Sequence, residues 1–274
     1  MSGDFLAFAR GHGLLIDHVI DDGKIHRVKT ADKAHKANGA YRFCGRWGWV
    51  QVWHEHAKPI PWTDGKPGVE ERRRSDIVEM ARRIKTDHDR VAKRAREVLA
   101  SCRVDYHHYL TNKGHPIKGL VTEDGRLAVS MWAGDAIANV QLIDREGGKK
   151  FLPGGAAKGT RHVLGPREGV TWYVEGLATG LSVLHALKYM SIRGRVVCCF
   201  FASNLEMLAA ADGRGFVFAD HDTAKERAGQ TAAEQSCRPW VMSPEPGEDA
   251  NDLHQRAGIA AVANLMRPLM RRRE

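Results

Sequence analysis

Short apolar runs alternate with helical patterns over the last hundred residues, and this alternation limits the possible folds more than any other feature. Four runs are predicted strands: VTWYVE (170–175), RVVCCFF (195–201), GFVFAD (215–220) and WVMS (240–243). Helical patterns lie between them and close the chain, at 178–190, 203–211, 223–235 and 253–270. Strands this apolar, separated by helices, predict an α/β fold with a parallel sheet flanked by helices.

The chain upstream of this region divides into further predicted parts. We expect a small β-rich domain at 1–66, a charged linker helix at 67–102, a basic α+β subdomain at 103–166 and the parallel-sheet domain at 167–274. The turn-forming segment PIPWTDGKPG marks the first boundary. Residues 126–143 read as a hairpin around a Gly-Asp turn, and the basic, Gly-rich segment KKFLPGGAAKG follows at 149–159.

The composition is that of an ordinary globular protein with a basic excess toward its N-terminus. Hydrophobic residues make up 43% and charged residues 27%, with a net charge of +9. Residues 1–100 hold 20 Lys and Arg against 14 Asp and Glu, whereas 151–274 hold 15 against 13. No apolar run approaches the roughly 20 residues of a membrane-spanning helix, and the first residues lack a secretory signal pattern. We therefore expect a cytoplasmic protein with no membrane partner and with a possible polyanionic one.

The five cysteines exclude one class of metal site. They are scattered, with no CxxC pair, at Cys44, Cys102, Cys198, Cys199 and Cys237. A four-cysteine zinc ribbon is therefore excluded, and we expect no structural zinc. A site built from Cys44, His54 and His56 is the alternative, against the commoner case of surface histidines.

Acidic residues follow three of the four predicted strands. Glu175 ends the first strand, Asp220 and Asp222 end the third, and GEDANDLHQ after the fourth offers Asp249 and Asp252. Functional groups of open parallel sheets gather beyond the carboxyl ends of strands, and a period of two sends Asp220 and Asp222 to one side. The alternative is that these carboxylates cap helix N-termini, where the helix dipole favours them.

Clustered carboxylates repel one another unless a cation neutralises them. Hard oxygen ligands suit Mg²⁺ or Mn²⁺, shared with substrate phosphates. Two such ions about 4 Å apart can activate a 3′-hydroxyl and stabilise a leaving pyrophosphate. The sequence therefore predicts a two-ion site at this edge of the sheet.

The motifs VEGLATGLS, VVCCFFASNL, FADHD and EDANDLH resemble the Toprim domain of phage and plasmid (mobile-element) DNA primases. The resemblance covers roughly 105–265 and includes HHYLTNKGHPIKGL, NVQLID and KKFLPGGAAKG. It implies DNA-templated synthesis of short RNA primers from NTPs in phage or plasmid DNA replication. It also implies that Glu175 acts as general acid/base or metal ligand, and that Asp220 and Asp222 hold metal. By the same resemblance Asp249 is a further ligand, although Glu248 stands where the family usually has a basic residue.

The opening segment, with IDDGKIHRVKTADK, is similar to the N-terminal part of mobile-element primases. Other primases carry a zinc module there for template recognition. Because no such module is expected here, template choice must rest on a zinc-free surface or on a partner.

Basic and glycine residues complete the candidate site. Lys149, Lys150 and Lys158, with Lys113 and Arg126 as further candidates, are predicted to contact NTP phosphates or template, against a solvated loop as the alternative. Two other arginine groups stay open between nucleic-acid contact and a solvated surface: Arg72, Arg73, Arg74, Arg82 and Arg83, and the tail RPLMRRRE. The predicted turn glycines are Gly176 and Gly180.

Three functions remain open, with DNA primase first. A Toprim-type nuclease would use the same carboxylates to hydrolyse phosphodiesters, and a catalytically silent primase-like module would only bind a replication complex. The upstream lysines favour a primase, which must seat two nucleotides, and intact acidic residues argue against a silent module. A topoisomerase needs more chain than 274 residues. No GxxxxGK[ST] motif occurs, so the expected partners are single-stranded DNA, NTPs and a separate replicative helicase.

Overall fold

Helices and three five-stranded sheets make up this mixed α/β chain. The computed structural model describes residues 2–35, 37–53, 55–56, 58–223 and 227–271. Contacts between Cα atoms divide the chain into two units, Met1–Thr86 and Asp87–Glu274. Within the described residues no helix is both long and apolar enough to span a membrane.

The first unit is an antiparallel meander with a helix on it. Its elements are α1 (Ser2–Gly11), β1 (Leu14–Leu15), β2 (His26–Thr30), β3 (Gly39–Cys44), β4 (Trp47–Val52) and β5 (Ile60–Thr63), with the strands in chain order. The sequence analysis missed α1, although its apolar residues follow helical spacing. Phe5 is fully buried, and its ring lies 4.8 Å from that of Phe43. Gly48 makes room for this ring, because a Cβ there would lie 2.7 Å from Phe5.

The charged helix predicted at 67–102 is present as α2 (Val69–Ser101). The division between the two units falls inside this helix, whereas the sequence placed boundaries at its ends. Its first half belongs to the first unit, where Trp47 Nε1 donates to Asp76 Oδ2 at 2.8 Å. Its last turns belong to the second unit and bury Val91 and Ala95. The helix is therefore more than a solvated linker.

The second unit contains an antiparallel sheet ahead of the parallel one. Its elements are β6 (Arg103–Tyr106), α3 (His108–Asn112), β7 (Lys118–Val121), β8 (Leu127–Ala133), β9 (Ala136–Ile143) and β10 (Lys149–Phe151). The strands lie in the order β10-β9-β8-β7-β6, and β8 and β9 form the predicted hairpin. The basic segment at 149–159 therefore begins as an edge strand of this sheet.

The third sheet holds the four strands found in the sequence. Its elements are β11 (His162–Leu164), β12 (Val170–Val174), α4 (Leu177–Tyr189), β13 (Gly194–Cys198), α5 (Ala202–Asp212), β14 (Phe216–Ala219), α6 (Ala228–Gln235), β15 (Trp240–Met242), α7 (Ala250–Ala257) and α8 (Ile259–Arg271). The spatial order is β11-β13-β12-β14-β15. Strands β12 to β15 pair in parallel, and only β11 is antiparallel.

Alternation along these strands creates two cores, one on each face of the sheet. Trp172, Val174 and Phe218 belong to the core under α4, α7 and α8. Their neighbours Tyr173 and Val217 belong to the core under α5 and α6. Both faces are therefore covered, which explains why the strands read as continuous apolar runs.

Three details differ from the sequence prediction. The closing helix is two helices, because Gly258 adopts φ 79 between α7 and α8. The helix predicted at 223–235 begins at Ala228, and its residues 224–226 lie outside the described part of the chain. Gly180 lies inside α4 rather than in a turn.

Candidate active site

The candidate site lies where the parallel sheet reverses its strand order. After β12 the chain crosses to β13 on one side, then returns to β14 on the other side of β12. Crossovers that leave in opposite directions open a crevice beyond the carboxyl ends of the two strands. Glu175 directly follows β12, and Asp220 directly follows β14. The sheet order therefore brings the two predicted acidic positions to one crevice.

Backbone contacts tie the loop after β14 to the loop after β15. His221 N donates to Glu248 O at 3.0 Å, and Gly247 N donates to His221 O at 2.6 Å. The His221 ring also lies 2.8 Å from Ser243 O through Nδ1. His221 thus has a structural role between two metal-ligand candidates, and it places Asp249 beside the Asp220 loop.

Asp220 has the least favourable electrostatic position of the acidic residues. The residue is half-buried, but its Oδ1 atom is shielded from solvent and has no hydrogen-bond partner. Burial, and then the charges of Asp249, Glu175 and Asp222, raise the pKa of Asp220 well above its ordinary value. The nearby Lys149 opposes this increase. A buried carboxylate oxygen without a donor is a free ligand for a cation.

Glu175 shares this environment. Burial raises the pKa of Glu175, and the negative charges of Asp222 and Asp249 raise it further. Lys149 again acts in the opposite direction. The structure therefore brings Glu175, Asp220, Asp222 and Asp249 within electrostatic range of one another, with one lysine beside them.

Asp222 is held by the first turn of α6. Its Oδ2 atom accepts a hydrogen bond from Gly229 N at 2.6 Å. A Cβ at position 229 would lie 2.6 Å from Asp220 O, so only glycine lets the helix begin this close to the acidic loop. The sequence analysis missed Gly229, since a single Gly in a helical pattern gives no signal of what lies against it.

Asp249 and Asp252 also have the capping role that the sequence left open. Asp249 is the N-cap of α7, and Asp252 completes a capping box with it. The Asp249 Oδ2 atom accepts from Thr179 Oγ1 at 2.9 Å, which joins α7 to α4. Asp252 pairs with Lys113 at 3.3 Å. Asp249 reaches the acidic cluster as well, whereas the contacts of Asp252 are those of a cap and an ion pair.

A cavity of about 390 Å³ opens between the antiparallel sheet and the carboxyl ends of β12 and β14. Four acidic and three basic residues line it: Glu146, Glu175, Asp220, Asp249, Lys113, Arg145 and Lys149. Tyr109, Thr179 and Phe200 also line it. Arg145, Tyr109 and Phe200 were not singled out from the sequence, although Tyr109 and Phe200 lie within the motifs HHYLTNKGHPIKGL and VVCCFFASNL.

The predicted basic residues separate into two groups. Lys113 and Lys149 line the cavity. Lys150 follows Lys149 on β10, where successive side chains face opposite ways, and it is not among the lining residues. Lys158 is exposed and is also outside the lining, and Arg126 pairs with Asp124 beside it.

The other arginine candidates that the structure describes are not among the residues that line this cavity. Arg72, Arg73 and Arg83 pair along α2 with Asp76, Glu70 and Glu79. Arg267 donates to Asn264 Oδ1 in α8. The tail arginines Arg272 and Arg273 lie outside the described residues.

The glycines after β12 have roles other than a sharp turn. Gly176 is the N-cap of α4 with φ −106, an extended conformation open to any residue. Gly180 packs α4 onto the sheet, since a Cβ there would lie 2.5 Å from Cys198 Sγ. The left-handed residue at this edge is Phe200, with φ 71, whose N–H donates to Glu175 O at 2.7 Å. A non-glycine residue in the left-handed backbone conformation destabilises a folded protein by about 1–3 kcal/mol, and such residues are typical of functional sites.

The chemistry of the carboxylates fits a hard divalent cation, although their geometry is open. Asp220 offers a buried oxygen without a donor, and the charges of Glu175, Asp222 and Asp249 need neutralisation. No three of these carboxylates meet within 4.8 Å; in the described chain, only three histidines do so. A cation shared with substrate phosphates suits such a site, because phosphate oxygens complete its coordination.

The structure does not test the alternative zinc site of Cys44, His54 and His56. Burial raises the pKa of the Cys44 thiol to about 11. His56 Nδ1 accepts from Val52 N at 3.2 Å. His54 lies outside the described residues.

Comparisons with known proteins found no matching family model and no matching curated protein. Among solved structures, the primase fragment of the bacteriophage T7 primase-helicase protein is 14% identical, with a TM-score of 0.43, over 61% of this chain and 77% of that chain. A chain from the T7 lagging-strand DNA polymerase interacting with primase domains bound to an RNA/DNA hybrid and dTTP is 15% identical, with a TM-score of 0.42, over 63% and 94%. Similarity at this level assigns neither family nor function.

Proposed function

We propose that the chain is a Toprim-type DNA primase that synthesises short RNA primers from NTPs on single-stranded DNA in phage or plasmid replication. One observation carries this proposal. Carboxylates from three separate strand ends, Glu175, Asp220 with Asp222, and Asp249, gather beside Lys149 at the crevice of a parallel sheet. The sequence motifs at these same positions resemble those of Toprim primases, which adds support.

The acidic residues would hold the cation. Asp220, Asp222 and Asp249 are the metal ligands in this proposal, and Asp252 contributes by capping α7 and pairing with Lys113. When bound, Mg²⁺ or Mn²⁺ supplies positive charge where a hydroxyl is deprotonated and where pyrophosphate develops. The buried Oδ1 atom of Asp220 gains a partner in that state.

Glu175 would move the proton. A primer 3′-hydroxyl attacks the α-phosphorus of an incoming NTP, a new O–P bond forms, and the bond to the β-phosphate oxygen breaks. The hydroxyl proton passes to the Glu175 carboxylate, and pyrophosphate leaves with the bonding electrons. Burial and neighbouring charges raise the pKa of Glu175, which makes it a better base for this transfer.

Cations of the cavity would bind the triphosphate. Lys149 lies beside Glu175 and Asp220, and Arg145 and Lys113 line the same cavity. A triphosphate near several carboxylates needs fixed positive charge in addition to metal. The proposal keeps single-stranded DNA, NTPs and a separate replicative helicase as partners.

The test is primer synthesis by the full chain on single-stranded DNA with labelled NTPs and Mg²⁺ or Mn²⁺. We expect short RNA products from the wild type and about 10²- to 10⁴-fold slower synthesis from Glu175→Gln, the usual cost of losing a general base. Glu168→Gln is the matched control, because Glu168 precedes β12 at the opposite end of the strand and pairs with Arg193. The control should be as active as the wild type.

A nuclease would give a different result in the same assay. It would shorten labelled DNA whenever metal is present, and NTPs would have no effect. If the protein degrades DNA when metal is present and makes no RNA, the primase proposal is wrong and the nuclease takes its place. Undiminished RNA synthesis by Glu175→Gln removes Glu175 from the mechanism.

A further inference from the structure

A second cluster of possible metal ligands lies apart from the carboxylates. One ligand nitrogen each of His115, His185 and His254 lies within 4.8 Å of the other two. The ring centroids are 5.5, 5.6 and 6.0 Å apart. No other group of three His, Cys, Asp or Glu side chains meets this closely in the part of the chain that the structure describes.

Three separate segments supply these histidines. His115 follows α3, His185 lies on α4 and His254 on α7. One helical turn earlier, Ser182 on α4 and Asn251 on α7 lie on the same helix faces and are fully buried. The helices therefore present polar residues in pairs to one point.

The buried polar side chains at this point leave one acceptor, Asn251 Oδ1, without a hydrogen-bond partner. Asn251 Nδ2 lies 2.8 Å from Lys113 O, 3.1 Å from His115 Nε2 and 3.2 Å from Ser182 Oγ. An amide nitrogen carries two hydrogens, so at least one of these acceptors receives none from it. Ser182 Oγ has a single hydrogen and also lies close to two ring nitrogens, 3.2 Å from His115 and 3.1 Å from His254. Which ring nitrogens accept depends on the histidine tautomers, and a cation would replace the hydrogen bond at each nitrogen that it binds.

His115 has the properties of a prearranged ligand. His115 is 1% exposed, and its ring lies beside the rings of His185 and His254. The ring also has the backbone of Ala178 as a hydrogen-bond partner. Such a second contact fixes the orientation of a ligand histidine.

We propose that His115, His185 and His254 bind one zinc ion, or a similar borderline transition-metal ion, at a site separate from the carboxylates. Imidazole nitrogens suit zinc and are poor ligands for Mg²⁺. Tetrahedral coordination at about 2.0–2.1 Å requires nitrogens about 3.4 Å apart, so side-chain shifts of about 1 Å close the site. A water completes the coordination. This proposal departs from the sequence expectation of no structural zinc.

The ion would hold in place the helices that carry the carboxylate site, and it would take no part in the reaction there. Glu175 and Gly176 lead directly into α4, and Asp249 caps α7. His185 lies nine residues after Gly176, or about 14 Å along the helix, so the two sites are distinct. Linking α4, α7 and the segment after Lys113 would hold these helix N-termini in place.

The test is zinc binding by the full chain without an affinity tag, after treatment with a chelator and dialysis. We expect one zinc per chain, a higher melting temperature with zinc, and visible bands of four-coordinate cobalt when Co²⁺ replaces it. Free zinc at 100 times Kd should favour the folded state about 100-fold. Excess Mg²⁺ should not displace the ion. His185→Ala should weaken binding at least 100-fold; it should fold normally, since His185 is exposed.

Two matched variants separate this site from others. His108→Ala removes an equally exposed histidine of α3 and should keep the zinc. Cys44→Ser should keep it too. Absence of bound zinc in the wild type overturns the proposal. So does zinc binding that survives His185→Ala, or that is lost with Asp220→Asn or Cys44→Ser instead. None of these readouts depends on primer synthesis, so the proposed function and this site can fail separately.

Discussion

Asp220 shows how a residue can be unfavourable for the free protein and useful with a ligand. Its Oδ1 atom is buried without a donor, and three other carboxylates surround it. Burial of an ionised carboxylate without a partner destabilises a folded protein. A site kept at this cost is expected to have a cation in its working state.

The first prediction concerns the stability of Asp220→Asn in the presence of a chelator. The folded-state pKa of Asp220 is raised, so its ionisation destabilises the fold at pH values above the ordinary pKa near 3.8. The variant should therefore melt at a higher temperature than the wild type at pH 7–8. The difference should shrink as the pH falls below 3.8, where Asp220 of the wild type becomes protonated in the folded and the unfolded state alike.

Asp252→Asn is the control for this measurement. It removes the same charge and the ion pair with Lys113, while its amide oxygen can still accept in the capping box. It should not raise stability, and it should lower it by at most about 1 kcal/mol at pH 7. If Asp220→Asn melts at a lower temperature than the wild type at pH 8 without metal, then ionised Asp220 does not destabilise the metal-free fold.

At the scale of elements, β10 decides which lysine reaches the site. β10 pairs antiparallel with β9, with Lys149 opposite Ile143 and Lys150 opposite Leu142. Side chains at successive positions of a strand face opposite ways. Lys149 therefore belongs to the cavity, and Lys150, although adjacent in sequence, does not.

The two lysines give a matched pair of variants. Lys149→Ala should raise the KM for NTPs about ten- to hundredfold, the cost of a lost charged contact to phosphate. Lys150→Ala, with the same change of charge, should leave it within about twofold, because exposed charges contribute little. Initiation should suffer more than extension, because only initiation seats a second triphosphate. Equal effects of the two variants on the KM for NTPs would contradict the assignment of Lys149, and not Lys150, to the cavity.

The sequence predicted the parts of the site that depend on local pattern. Apolar runs identified β12 and β14, and the acidic residues Glu175 and Asp220 follow those strands directly. It did not separate Lys149 from Lys150, because the side of an edge strand depends on its pairing with β9. From the sequence Asp249 could equally be a cap or a metal ligand. In the structure it caps α7, and its charge also raises the pKa of Asp220. His115, His185 and His254 are far apart in sequence, so only the packing of α4 against α7 reveals them.

At the scale of the whole molecule, the candidate site belongs to one unit. Every residue lining the cavity lies within Asp87–Glu274. The larger basic excess lies in residues 1–100, most of which belong to the other unit. Between the two units themselves the excess is nearly even, because Met1–Thr86 holds 16 Lys and Arg against 11 Asp and Glu, and Asp87–Glu274 holds 26 against 22.

The central claim is that carboxylates beyond β12, β14 and β15 bind a divalent ion, and direct Mn²⁺ binding by the full chain tests it. Titration followed by electron paramagnetic resonance of the free ion should show binding by the wild type. Binding should weaken at least tenfold in Asp220→Asn with Asp222→Asn. Glu168→Gln should bind as the reference protein does, and every protein compared, the reference included, should carry His185→Ala so that the histidine cluster does not contribute. Mn²⁺ affinity equal to that of the reference protein in the double variant would contradict the account.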